Sequence, residues 1–136
     1  MKKLILWLVL LLIGFLAGFI PQYTRAQQAR SQLQTVKQQL STCQLGNRLA
    51  QLRDNAALTY LEATRKNYGL AAEHSSRFFD QARQVADQTT DATLRSSLEQ
   101  LLSTRDTITS ELAKGIPDVV PQLEALLMKA EQDLKR

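Results

Sequence analysis

Hydrophobic and polar positions divide this chain into stretches of different rhythm. From Leu4 to Ile20 there is none: LILWLVLLLIGFLAGFI is apolar on every side, begins behind Lys2 and Lys3 and ends at Pro21. A helix that is apolar all round is buried in a large core or in a bilayer. Seventeen residues at about 1.5 Å each span roughly 25 Å, slightly short of a hydrocarbon core of about 30 Å. Snorkelling Lys2 and Lys3 and interfacial aromatics at Trp7 and Tyr23 make up the difference. A retained transmembrane anchor over residues 1–21 is therefore expected. A cleaved signal peptide fits less well, because the run exceeds the usual 7 to 15 apolar residues and Arg25 would stand inside the cleavage site.

Beyond the anchor, apolar residues recur at Leu33, Val36, Leu40 and Cys43 among glutamines, with spacing 3, 4, 3. That is the seam of a coiled coil, with Ala29 as a weak extension. The phase then slips to Leu45, Leu49, Leu52 and Ala56, and Gly46-Asn47 at the junction reads as either a helix break or a tolerated stutter. Residues 22–57 are expected to form a helical stalk.

From Leu58 to Ala86 two apolar stripes run together about 140° apart at 100° per residue. One comprises Leu58, Leu61, Tyr68, Ala72, Phe79, Ala82 and Ala86; the other comprises Tyr60, Ala63, Leu70, Phe78 and Val85. A helix with two apolar faces requires two neighbours. Thr90 or Asp91 caps the first, which carries Leu94, Leu98, Leu101, Ile108 and Leu112 and stops at Lys114-Gly115 before Pro117. Asp118 caps the second, which carries Val119, Leu123, Leu126, Leu127, Ala130 and Leu134. The expectation for residues 58–136 is an antiparallel three-helix bundle joined by short turns.

Composition sharpens this picture. The soluble part is rich in Ala, Leu, Gln, Arg and Glu, and no segment alternates as a strand would, so the chain is expected to be all-α. Net charge is +4 over 136 residues. Residues 1–66 hold nine Lys or Arg against Asp54 and Glu62, and residues 67–136 hold eight against eleven acids. The cations of the membrane-proximal half are spread among glutamines without interleaved aromatics, which argues against nucleic-acid binding. The short tail before the run favours an inner-membrane orientation with the bulk of the chain in a periplasm.

Chemistry is sparse. There is one His and one Cys, with no phosphate loop, nucleophile elbow or HExxH pattern, so no enzyme, metal site or cofactor is expected. His74 lacks a glutamate three residues before it, where Ala71 stands, and reads as a structural histidine. A pocket beside Tyr68, His74 and Phe78 is the sharper alternative, and Gly69 beside Tyr68 invites close packing. In the anchor, Gly14 and Gly18 have GxxxG spacing, which lets two membrane helices approach. Together with Leu33, Val36, Leu40 and Cys43 this points to a parallel homodimer. The expected role is a membrane-anchored scaffold or interaction module for another protein, with a ligand-sensing ectodomain as its rival.

Overall fold

The computed structural model describes residues 2–135, apart from the side chains of residues 2, 4, 16–24 and 26. Among the described residues the secondary structure is entirely helical: α1 (Lys2–Thr64), α2 (Tyr68–Gln88), α3 (Ala92–Leu102), α4 (Arg105–Lys114) and α5 (Val119–Asp133). Two compact units follow from the chain's contacts, Met1–Thr42 and Cys43–Arg136.

The first unit is part of α1. Its described side chains are exposed, including every one from Ile5 to Phe15. Among the described residues no helix is long and apolar enough to cross a membrane. The described apolar side chains of the run cover eleven residues, about 16 Å of helix, which is half of a hydrocarbon core. The transmembrane anchor expected over residues 1–21 is thus unsupported by what is described, and Gly18 lies outside the described residues.

The second unit is a helical bundle with four legs where three were expected. The additional leg is the end of α1, and it is held by one seam of regular spacing: Leu49, Leu52, Ala56, Thr59 and Ala63 are all buried, with Leu45 packed against them. Asn55 Nδ2 donates to Gln81 Oε1 at 3.1 Å, and Arg48 donates to Gln88, so α1 and α2 run antiparallel. Arg105 of α4 donates to Asp80 of α2 at 3.0 Å. Gln122 donates to Glu111 at 2.7 Å and Lys129 to Gln100 at 2.6 Å, which joins α5 to α4 and α3. Arg53 of α1 meets Glu131 of α5 at 3.7 Å and closes the ring. The order is up-down-up-down, with α3 and α4 sharing the third leg.

Three boundaries differ from the sequence reading, each for a local reason. Gly46-Asn47 interrupts nothing; α1 passes through it. The break comes instead at Arg65–Asn67, within the helix expected over Leu58–Ala86. There Lys66 takes φ 62°, the Lys66 N–H bonds to the Ala63 carbonyl at 2.9 Å, and the Asn67 N–H bonds to the Glu62 carbonyl at 2.8 Å. This pair of bonds is a Schellman motif, built here on lysine where glycine is usual. The expected helix from Ala92 to Lys114 is divided at Ser103-Thr104. Their hydroxyls bond to the carbonyls of Gln100 and Leu101, and both residues keep right-handed helical angles, so the leg continues beyond the interruption.

The ends that the sequence marked are built as expected, with one exception. Asp91 Oδ1 accepts from the N–H groups of Thr93 and Leu94 and caps α3. Gly115 adopts φ 64° and closes α4 with a second Schellman motif, Gly115 N–H to Leu112 and Ile116 N–H to Glu111. Asp118 stands at the start of α5 without a side-chain cap. The α2 helix buries one broad stripe, Ala71, Ser75, Phe78, Phe79, Ala82, Val85 and Ala86. The two-stripe reading fails because Leu58, Leu61 and Leu70, assigned to it, are exposed.

Candidate interaction surface

Sequence reasoning singled out three sets of residues, and the structure treats them differently. Gly14 stands on exposed helix beside an apolar hollow lined by Trp7, Leu10, Leu11 and Phe15, and a Cβ built on it meets nothing. The hollow exists because glycine contributes no side chain between large neighbours.

Leu33, Val36 and Leu40 stand 55%, 58% and 55% exposed on α1, and Cys43 is a free, exposed thiol. Around them most side chains are hydroxyls and amides, with Arg30 and Lys37 among them. Ser31, Thr35, Ser41 and Thr42 turn their hydroxyls back to carbonyls three or four residues earlier, which satisfies those groups within the helix. Three large apolar side chains at 3–4 spacing, set in such a polar helix, form a narrow stripe of the coiled-coil kind.

Tyr68, His74 and Phe78 differ in burial. Phe78 is fully buried with its ring edge-on to Phe79, centroids 5.1 Å apart, so it belongs to the core. Tyr68 is half-buried and lies 3.5 Å from the place a Cβ on Gly115 would take. His74 is half-buried, with Nδ1 enclosed and without a hydrogen-bond partner. Gly69 opposes nothing within 4 Å, so close packing is not its reason.

One open surface groove lies elsewhere on the bundle, between Arg83, Ala86, Asp87, Arg95, Glu99 and Leu102. Its lining carries two arginines and two acidic residues. Arg95 is already engaged by the carbonyls of Ala86 and Thr89, which are left free at the end of α2. The groove is better understood as a tied helix end than as a receptor for an anion. Among the described residues no group of three or more His, Cys, Asp or Glu side chains comes together as metal ligands would.

The residues that sequence reasoning misassigned are Leu58, Leu61 and Leu70, placed on the apolar stripes but exposed. The signal that could have moved Leu58 and Leu61 is the register of Leu49, Leu52 and Ala56, which continues through Thr59 and Ala63 on the opposite side of α1. Comparison with protein-family models, with curated proteins and with solved structures returns no match.

Proposed function

We propose that the chain is a single-pass membrane-anchored helical protein whose bundle acts as a scaffold or protein-interaction module. The observation that carries this reading is the run of large apolar side chains from Ile5 to Phe15, all half or more exposed on the outside of a helix. Such a surface is costly in water, at about 25 cal/mol for each Å² left uncovered. Lipid and neighbouring membrane helices cover it. In sequence the run extends to Ile20, and Lys2 and Lys3 precede it. The end flanked by Lys2 and Lys3 lies on the cytoplasmic side, the chain resides in an inner membrane, and most of it faces the periplasm. Gly14, Gly18 and the stripe Leu33, Val36, Leu40 and Cys43 pair two copies of the chain, and the bundle meets a protein partner. A small-molecule sensor is supported less, because Phe78 and Phe79 fill the interior in which a ligand would have to sit.

Fractionation tests the proposal. After alkaline carbonate washing, the full chain is expected in the membrane pellet, and a variant lacking residues 1–21 in the supernatant. Release of the full chain by carbonate would overturn the anchor.

A further inference from the structure

We infer that Glu62 and His74 form a third polar pair between α1 and α2, one that closes when the imidazole is protonated, so that acid tightens the end of the bundle where α1 turns into α2. The inference lies wholly within the second unit and does not depend on the membrane reading.

Register brings the two residues to one level. Arg48 pairs with Gln88 and Asn55 with Gln81, so each pair lies seven residues further along α1 and seven residues back along α2. The same step taken once more reaches Glu62 and His74. Seven residues are close to two helical turns, which keeps the three positions of each helix on one face. An amide of α2 answers α1 in the first two pairs. In the third, an imidazole stands where the amide was and a carboxylate stands opposite it.

This pair is open in the structure. His74 Nδ1 is enclosed without a hydrogen-bond partner, and Glu62 accepts instead from Asn67 Nδ2 at 3.0 Å and from Arg65 at 3.3 Å. An ionised carboxylate can only accept, whereas a neutral imidazole can donate from one nitrogen alone. Protonation lets both nitrogens donate and makes the bond charge-assisted, about twice as strong as a neutral one. Each oxygen of Glu62 has a further lone pair, so His74 joins the bonds already made rather than displacing them.

The charges around His74 decide whether protonation is favourable. From α1 and its turn come Glu62, Arg65 and Lys66, and on α2 itself Glu73 and Arg77 flank His74 and pair with each other. The α4 side contributes none. Tyr68 and Asp80, through which α2 meets the Gly115 end and Arg105 of α4, stand about 120° from His74 in opposite senses, so α4 lies behind it. Arg95 of α3 binds the far end of α2, and α5 turns the apolar Val119, Leu123, Leu126 and Ala130 inward. Burial opposes a charge on the imidazole, but His74 is only half-buried and keeps part of its hydration. The Glu62 side chain is 14% exposed, and the cation it holds, Arg65, is 63% exposed and screened by water. A second cation on the sheltered side of Glu62 therefore gains more than it loses.

The sign follows from linkage. A folded state that prefers the protonated imidazole becomes more stable as pH falls through the ordinary histidine range near about 6.5, and less stable as pH rises through it. His74 is the only histidine in the chain, so the signal is not shared with another.

The test follows urea unfolding of the full chain in detergent by circular dichroism at about pH 5.5 and about pH 7.5, between which histidine is the side chain that ordinarily changes charge. The unfolding equilibrium constant is expected to be about three- to tenfold smaller at the lower pH. Amide hydrogen exchange is expected to slow, after correction for its intrinsic pH dependence, in residues 59–78. His74→Gln, which supplies the amide found in the other two pairs, and Glu62→Gln are each expected to abolish the difference. Every variant is compared with itself at the two pH values, so a general loss of stability does not obscure the result. A wild type equally or less stable at the lower pH would overturn the inference, because burial of the imidazole would then outweigh the carboxylate. A difference that survives in Glu62→Gln would overturn Glu62 as the partner, and one that survives in His74→Gln would overturn His74 as the titrating group.

Discussion

Asn67 and Glu62 are joined twice, through the Asn67 N–H to the Glu62 carbonyl at 2.8 Å and through Asn67 Nδ2 to Glu62 Oε2 at 3.0 Å. Between them Lys66 is held in left-handed backbone, a conformation that costs a residue with a Cβ about 1–2 kcal/mol. The usual apolar contact across a Schellman motif is here a polar bridge. Lys66→Gly is expected to raise stability by about 1 kcal/mol after the larger chain entropy of glycine is set against the relieved strain. Thermal unfolding followed by circular dichroism reads this as an increase in Tm. An unchanged or lower Tm would mean that Lys66 carries no strain.

Gly115 is the converse case. It closes the corresponding motif at φ 64°, and a Cβ there meets only ordinary contact with the Tyr68 ring. Gly115→Ala is expected to destabilise by about 1–2 kcal/mol through backbone strain alone. Urea titration of both variants gives the difference, and equal midpoints for Gly115→Ala and the wild type would refute it.

Ser75 is buried in the core with Oγ unpaired. An unsatisfied buried hydroxyl costs about 1–3 kcal/mol, and alanine removes it at little loss of packing. Ser75→Ala is expected to stabilise by about 1 kcal/mol. Lowered stability would indicate that the hydroxyl has a partner in solution.

The four-leg bundle is separable from a three-leg one by paired truncations on α1. Leu52→Ala is expected to cost about 2–5 kcal/mol, since Leu52 is fully buried. Leu58→Ala and Leu61→Ala, at exposed positions, are expected to change stability by less than about 1 kcal/mol. The reverse order would restore Leu58 and Leu61 to the core.

Arg95 holds the end of α2 through the carbonyls of Ala86 and Thr89. Arg95→Ala is expected to cost about 1–2 kcal/mol and to speed amide hydrogen exchange in the last turn of α2. Unaltered exchange there would show that water replaces the guanidinium without penalty.

The parts of this fold that sequence made legible are those whose signals act locally. Asp91 before Ala92 and Gly115 after Lys114 mark helix ends by chemistry that operates within four residues. The first leg of the bundle was hidden by a single polar residue in its seam. Thr59 interrupts the apolar series, yet it is buried because its hydroxyl bonds to the Asn55 carbonyl at 2.7 Å. The break at Lys66 gave no warning, because lysine is not a residue that announces left-handed backbone. The candidate surface was more visible than the bundle boundaries. Leu33, Val36 and Leu40 are apolar in a polar context, and that contrast is present in the sequence itself.

The polar ladder between α1 and α2 carries a further consequence for the hairpin they form. Arg48 pairs with Gln88 and Asn55 with Gln81, so the rungs are seven residues apart on both helices. A slide of one heptad would offer Arg48 the amide of Gln81 in place of that of Gln88, nearly the same acceptor. The Arg48 rung therefore discriminates poorly between these two alignments, and of the two only the Asn55 rung, which would meet His74 instead of Gln81, tells them apart. The alignment is selected by the brevity of the connection at residues 65–67, which leaves no slack for sliding. A longer connection would turn a uniquely threaded hairpin into one with a competing alignment.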